Sequence, residues 1–412
     1  MFLGLPDKIY TTTASKFSVY YSNLITDTNP DNYIFSTDCS VGRQEEKRYN
    51  LDSLSSGIYD MKISIFDSLN VFLEQDSTKV IVTDNSVCHG DTLKILMIGD
   101  SYTEFGIYEN FIKDFYVASA PDTLIRFFGT KYNPWPQYYA IERGIFHEGY
   151  SGKKWDFFAN DILSPFVFDY AGNFNFQRYI NELSDGEIPD VVTIFLGVND
   201  VGRCDTSSME SIDLYIDDIF SETKMTKVIN SITQILPDQK IGIVLLPPLN
   251  AREYTYVYAD TTILDYRERK IVHHRLCQRY EDYFKNLNNP NITVIPANVN
   301  LDTYLGFGET DSIHPNSYGY EQIANSIYGW IKYQISLCSS IPQNLVISCN
   351  GTQTSLSWEE VVGADIYTIY RSTDPYSSFV EIGTSTEPDF TDQDISNANK
   401  YFYKVTTLNL LK

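Results

Sequence analysis

The stretch Leu93-Lys-Ile-Leu-Met-Ile-Gly-Asp-Ser-Tyr102, followed by the amphipathic run 105–115, decides the fold of this chain. The apolar run with its single lysine predicts the first buried strand of a parallel sheet. Gly99 allows a sharp turn, and Ser101 falls where a helix begins. Because open α/β sheets bind ligands at the carboxyl ends of their strands, Ser101 is a candidate nucleophile. Gly-Asp-Ser alone is weak evidence, since it also fits an N-capped helix after a strand.

Strands and helices alternate from about residue 91 to residue 338, which predicts a mostly parallel sheet covered by helices on both faces. Further strands are predicted over 190–197, 240–248 and 292–296. Helices are predicted over 208–236, 264–287 and 317–336. The aromatic-rich residues 130–176 are predicted to form loops near the upper edge of the sheet.

Short β-rich runs lie on both sides of this region. Over residues 1–90 their alternation predicts a small N-terminal β-sandwich of immunoglobulin-like type. Residues 341–412 resemble a fibronectin type III module, with Trp358 in the second strand, Ile366-Tyr-Thr-Ile-Tyr-Arg-Ser372 as the third and Tyr401-x-Tyr-x-Val405 in the sixth. The chain leaves little sequence for a seventh strand. We therefore expect three domains, at 1–90, 91–338 and 341–412, with the last one incomplete or short.

Composition narrows the classes of partner. The 412 residues include 31 Lys and Arg against 54 Asp and Glu, a net charge of −23 that argues against a nucleic-acid partner. Neutral glycans and small esters are compatible with it. No apolar run of about 18 residues predicts a membrane span. The six cysteines include no C-x-x-C pair, and the histidines and acids show no ligand spacing, so we expect no metal and no cofactor.

Three further motifs accompany the Gly-Asp-Ser turn. They are Gly149-Tyr-Ser-Gly152, Gly197-Val-Asn-Asp200 directly after a predicted strand, and Asp311-Ser-Ile-His314 just before the last predicted helix. Four blocks in this order within one α/β region resemble the SGNH (GDSL-type) hydrolase superfamily over residues 91–338. The resemblance implies a flavodoxin-like, three-layer α/β fold. Tyr102 stands where the family's eponymous residue is leucine, a position that the superfamily varies.

Acyl transfer by a serine requires a base, an acid that orients the base, and donors for the developing oxyanion. The resemblance implies that Ser101, His314 and Asp311 are nucleophile, general base and orienting acid. It further implies an oxyanion hole made by the backbone N–H groups of Ser101 and Gly152 and the side-chain amide of Asn199.

Neighbouring residues leave alternatives open at these motifs. Gly149 lies three residues before Gly152, and either glycine could supply the donor. We expect Asp100 to bind the backbone of its own turn rather than to act as the triad acid. His147 lies near the predicted cleft and has either a substrate contact or a structural role in its loop. His273 and His274 are predicted to be surface or interhelix residues.

The combination of an SGNH core with two flanking β regions resembles the multidomain glycan esterases of gut Bacteroidetes. We therefore predict hydrolysis of short acyl esters, O-acetyl groups on carbohydrate above all. The alternative is a phage or cell-surface structural or adhesive protein whose SGNH domain recognises or trims host glycans. Both predict an extracellular, periplasmic or virion-associated location, although no signal peptide is visible. Assembly through the flanking β domains is a further expectation.

Overall fold

The structure is a computed structural model. It describes residues 3–87, 92–120, 124–133, 143–183, 186–256, 264–339, 342, 344–361, 364, 366–376, 379–395 and 400–408. The chain divides into two compact units, residues 1–86 with 91–332 and residues 87–90 with 333–412. The domain boundaries that the sequence suggests, after residues 90 and 338, stay predictions.

Two small sheets form at the start of the first unit. Their strands are β1 (Lys8–Thr12), β2 (Phe17–Tyr20), β3 (Tyr33–Cys39), β4 (Arg43–Gln44), β5 (Arg48–Leu51), β6 (Gly57–Asp67) and β7 (Phe72–Thr83). One sheet has the order β1-β7-β6-β3 and the other β2-β5-β4. Buried side chains of both sheets share one apolar core, which also takes in Val299 from the α/β region. The strands of this part form small all-β sheets, as expected, and they pack directly on the α/β part of the unit, while its immunoglobulin-like sandwich character stays a prediction.

A parallel sheet of six strands organises the α/β region. The strands are β8 (Leu93–Gly99), β9 (Ile125–Phe128), β10 (Glu148–Gly149), β11 (Val191–Phe195), β12 (Lys240–Val244) and β13 (Ile292–Ile295). β8 pairs with β9 and β10 on one side and with β11 on the other, and β12 and β13 follow outward. From β8 the chain first adds β9 and β10 on one side of that strand and then crosses over to add β11 on the other side. A point where the strand order reverses in this way leaves a crevice for ligands at the carboxyl ends of the strands.

Helices connect these strands. They are α1 (Ser101–Glu104), α2 (Ile107–Ser119), α3 (Trp155–Asn160), α4 (Phe176–Leu183), α5 (Met209–Ile219), α6 (Met225–Ile235), α7 (Tyr266–Leu287) and α8 (Ser317–Ser339), with short 3₁₀ turns at Tyr21–Leu24, Pro30–Asn32 and Glu253–Tyr256. The predicted three-layer α/β fold is confirmed. The single helix predicted over 208–236 is wrong, because two helices occupy it. The chain turns at 220–224, where Phe220 packs against Tyr280 and Tyr283 of α7.

The second unit contains six strands in its described residues. They are β14 (Val346–Cys349), β15 (Thr354–Ser357), β16 (Ile366–Ser372), β17 (Val380–Ser385), β18 (Asp389–Asp392) and β19 (Phe402–Leu408). They form two three-stranded antiparallel sheets, β14-β15-β18 and β17-β16-β19. Trp358 lies in the core between them with its ring 5.2 Å from that of Tyr367. This arrangement is a small all-β unit, as expected, while its fibronectin type III character stays a prediction.

Within the described ranges, no helix has both the length and the apolarity needed to cross a membrane.

Candidate active site

Ser101 begins α1 directly after the central strand β8 and is 7% exposed. Asp100 caps the helix, because its Oδ1 accepts a hydrogen bond of 3.1 Å from the backbone N–H of Tyr102. The residue before it must be glycine, since a Cβ on Gly99 would come within 2.0 Å of Thr103 Oγ1. The expectation that Asp100 binds its own turn is confirmed, and the turn fixes the Ser101 hydroxyl at the carboxyl end of β8.

His314 and Asp311 reach Ser101 from the loop before α8. His314 Nε2 lies 2.9 Å from Ser101 Oγ, and His314 Nδ1 lies 3.0 Å from Asp311 Oδ2. The second carboxylate oxygen of Asp311 accepts the backbone N–H groups of Ile313 and His314, both at 2.8 Å. The loop therefore folds around the Asp311 carboxylate, and Ser101, His314 and Asp311 form a continuous series of hydrogen bonds.

The charge on Asp311 is stabilised by these donors. Its partial burial acts to raise its pKa, but the hydrogen bonds from the His314 ring and from two backbone N–H groups outweigh burial, and the pKa lies below its usual value. An ionised Asp311 favours the His314 tautomer with its proton on Nδ1 and leaves Nε2 free to accept a proton from Ser101.

Asp100, by contrast, is completely buried beside Ser101. Burial raises its pKa to about 8, with a further contribution from the nearby carboxylate of Asp200. This carboxyl is therefore poorly suited to be the ionised acid of a triad, which agrees with its place at the turn.

The two candidate glycines lie in different environments. The Gly149 N–H donates to His147 Nδ1 at 3.1 Å, and Gly149 itself lies in β10 beside Gly99. Gly152 has φ of +72° on the exposed turn that follows, and no described residue accepts a hydrogen bond from its N–H. Only the Gly152 donor is thus available to a ligand, and the His147 ring has a structural contact in this loop.

Asn199 follows β11, on the other side of β8. Its Nδ2 donates to Asp100 Oδ2 at 3.1 Å and to the carbonyl of Lys153 at 3.2 Å. These bonds hold the amide between the turn of Ser101 and the segment that carries Gly152. Both amide hydrogens have acceptors, so an oxyanion would compete for one of them.

The sequence matches the model of the GDSL-like lipase/acylhydrolase family over residues 95–327, more than half of the chain. The chain belongs to this family. Similar solved structures include a family 3 carbohydrate esterase from Talaromyces cellulolyticus, at 17% identity with a TM-score of 0.36, covering 59% of this chain and 98% of that one. A family 3 carbohydrate esterase from Clostridium thermocellum is similar at 18% identity with a TM-score of 0.37, covering 60% and 98%.

A shorter similarity involves an Fn3-like protein from Clostridium thermocellum, at 27% identity with a TM-score of 0.17, covering 18% of this chain and 78% of that one. Among curated proteins, no sequence matched the chain.

Two residues of α1 in this GDSL-like hydrolase hold the site together and were not recognised in the sequence. The hydroxyl of Tyr102 donates to the backbone carbonyl of Ile313 at 2.7 Å, inside the loop between Asp311 and His314. The carboxylate of Glu104 accepts the N–H of Ser151 at 2.9 Å and also its hydroxyl. No local pattern reveals either contact, because the Tyr102 bond spans 211 positions in the sequence and the Glu104 bond spans 47.

The other described histidines take no part in the hydrogen bonds among Ser101, His314 and Asp311. His147 and His273 are 0% and 5% exposed. Burial lowers the pKa of His147 to about 4 and that of His273 to about 3, with smaller contributions from Lys131 and Arg269. His273 is therefore interior rather than on the surface. Over the described residues, no group of three or more His, Cys, Asp or Glu side chains could hold a metal ion.

Proposed function

We propose that this protein is a serine esterase that hydrolyses short acyl esters, above all O-acetyl groups on carbohydrate. The observation that carries the proposal is the line of hydrogen bonds from Ser101 Oγ through the His314 ring to Asp311, at 2.9 and 3.0 Å. Family membership supports ester hydrolysis. The acetyl group and the carbohydrate alcohol are the part of the proposal that goes beyond the family.

In the proposed mechanism, His314 Nε2 takes the proton of Ser101 while Oγ forms a bond to the ester carbonyl carbon. Asp311 stabilises the imidazolium that results. The carbonyl oxygen becomes anionic beside the N–H groups of Ser101 and Gly152 and the Asn199 amide. Collapse of this intermediate breaks the bond to the sugar oxygen, which takes the proton from His314.

The acyl-enzyme is then hydrolysed in the same way. Water gives its proton to His314 Nε2 as it attacks the acyl carbon, and the bond to Ser101 Oγ breaks with return of the proton. The products are acetate and a free sugar hydroxyl, and the enzyme regains its starting state.

The exposure of the site supports a small acyl group on a bulky alcohol. The side chains of His314 and Asp311 are 28% and 48% exposed, so the base stands at an open edge. An open edge leaves room for a bulky alcohol such as a polysaccharide, and we propose a short acyl group on the other side of the ester. Because polysaccharides of this kind lie outside cells, an extracellular, periplasmic or virion-associated location belongs to the same proposal.

The first test compares p-nitrophenyl acetate with p-nitrophenyl octanoate, using the wild type and Ser101→Ala. We expect turnover of the acetate, little turnover of the octanoate, and loss of activity in the variant. Acetate release from acetylated polysaccharides would then be measured directly. A folded wild type that cleaves neither ester, or that prefers octanoate, would refute the proposal in its esterase or its acyl-length part respectively.

A further inference from the structure

A cavity of about 370 Å³ lies in the first unit, and Ser101 is not among its lining residues. It is formed by the start of the chain together with α7 and the turn at 302–304. Six of its lining residues are aromatic: Tyr20, Tyr21, Tyr33, Phe35, Tyr266 and Tyr304. Its volume is within the range of small-molecule sites. None of its lining residues belongs to the acid–base or oxyanion groups described above.

The lining also contains polar groups of both kinds. Acceptors come from Asp31, Glu46 and Asp302, and Lys47 adds an exposed donor. Lys270 is 8% exposed, and among the described residues its ammonium group has one hydrogen-bond acceptor, the carbonyl of Asp27. An ammonium group carries three donors, so two of them remain for an acceptor inside the cavity.

Tyr304 lines this cavity and is contacted by Arg252 and Asp302. The residue is 56% exposed, and the guanidinium of Arg252 lies 5.6 Å from the ring centroid. Arg252 Nη1 also donates to the Tyr304 carbonyl at 2.7 Å, and Asp302 Oδ1 accepts the Tyr304 N–H at 2.9 Å. The ring is therefore held from one side while more than half of the residue faces solvent, which suits a stacking platform.

Asn250 and Arg252, the neighbours of the lining residue Ala251, connect this cavity to the loop that carries His314. Asn250 Nδ2 donates to the carbonyls of Gly308 and Asp311 at 3.0 and 2.9 Å, and Asn250 Oδ1 accepts the Arg252 N–H at 3.1 Å. Arg252 in turn binds Tyr304. A ligand on Tyr304 is thus connected to the Asp311–His314 loop through Tyr304, Arg252 and Asn250.

We propose that this cavity binds sugar units of the neutral oligosaccharide chain that carries the ester. Sugar rings have apolar faces that pack on aromatic rings, and hydroxyls that bind carboxylates and ammonium groups. Three carboxylates against two lysines in the lining, and a net charge of −23, disfavour an anionic glycan. The inference rests on the proposed function for the ester, while the binding itself requires no chemistry at Ser101.

The experiment is calorimetric titration of Ser101→Ala with unacetylated hexasaccharides of xylose, glucose and mannose, and with hexagalacturonate as the anionic comparison. We expect at least one neutral chain to bind, and Tyr304→Ala in the same background to weaken its binding about tenfold. Tyr304→Trp keeps a stacking face and should retain the affinity. Tyr170→Ala is the matched control, since Tyr170 is 95% exposed and does not line the cavity.

Three outcomes would overturn the inference: no glycan binds, binding is unchanged in both Tyr304→Ala and Asp31→Ala, or hexagalacturonate binds more tightly than every neutral chain. Thermal melting of each variant checks that lost binding is not lost folding. The wild type separates the two proposals. Neutral glycan binding through Tyr304 without acetate release would refute the esterase and leave this cavity, whereas acetate release without such binding would do the reverse.

Discussion

Tyr102→Phe removes one hydroxyl from a buried ring, and we expect it to impair catalysis without unfolding the protein. Tyr102 is 0% exposed, and its ring stacks on Phe195 with the centroids 4.9 Å apart. Phenylalanine preserves that packing. What is lost is the 2.7 Å hydrogen bond to the Ile313 carbonyl, which joins the residue after the proposed nucleophile to the loop of the proposed general base.

The magnitude follows from the strength of that bond and from its position. A hydrogen bond of this kind contributes about 0.5–1.5 kcal/mol to stability, so the variant should remain folded. Without the bond, the loop of His314 loses its hydrogen bond to α1 at Tyr102 and keeps those from Asn250. A misplacement of about 1 Å between reacting groups can cost about 10²-fold in rate. We therefore expect kcat to fall about 10- to 100-fold, with KM changing by less than about threefold because Tyr102 does not touch the substrate.

Steady-state kinetics on p-nitrophenyl acetate and thermal melting measure the two effects separately. Tyr108→Phe is the matched control, because Tyr108 is also 0% exposed and its hydroxyl lies 2.9 Å from Thr103 Oγ1 rather than on the His314 loop. The control should lose comparable stability and keep most of its kcat. If Tyr102→Phe retains kcat within twofold of wild type, or if Tyr108→Phe loses as much, the hydroxyl of Tyr102 has no positioning role.

Asn199→Ala should lower kcat about 10²–10³-fold in a folded protein, and unchanged turnover would remove the amide from the oxyanion hole. Asp311→Asn should lower kcat about 10²–10⁴-fold with little effect on KM, since the amide no longer fixes the His314 tautomer; retained kcat would exclude Asp311 as the orienting acid. Glu104→Ala should lower kcat about tenfold by freeing Ser151 and the turn of Gly152, whereas Glu104→Gln should recover part of it. Burial lowers the folded-state pKa of His273 to about 3, so its contribution to stability is present above pH about 6.5 and is lost as the pH falls towards 3. The melting temperature of His273→Gln should therefore fall less than that of wild type between pH 7 and pH 4, and equal slopes would contradict this.

The local sequence pattern predicted a segment correctly where that segment is buried on all sides. β8, β11 and β12 are buried on both faces, and their continuous apolar runs predicted them directly. The four motif blocks then indicated which strand ends meet. The prediction of one helix over 208–236 was wrong because the local pattern is compatible with a single helix. In the structure the chain turns at Phe220, where the side chain packs on α7, and local pattern does not encode this tertiary contact.

The remaining contacts of the site depend on distances that sequence spacing does not encode. The resemblance favoured Gly152 but left Gly149 open, and the bond from the Gly149 N–H to His147 separates the two glycines only once β10 is placed beside β8. Similarly, the N-terminal sheets looked like an independent module. In the structure Ser18 N–H binds Asn300 Oδ1 at 2.9 Å, and the Asn23 amide binds the Leu301 carbonyl at 2.8 Å, contacts that join positions nearly 300 residues apart.

The short helix α1 explains how separate loops can form one precise site. Ser101, Tyr102 and Glu104 lie within its single turn, and the side chains after the nucleophile point to different loops. Tyr102 binds the loop of Asp311 and His314, and Glu104 binds the turn of Gly152. The distances from Ser101 to His314 and to Gly152 are therefore both set from one short element at the end of β8, and neither loop has to be rigid by itself. This arrangement gives the tyrosine at position 102 a physical reason, because leucine could fill the same core but could not bind the Ile313 carbonyl.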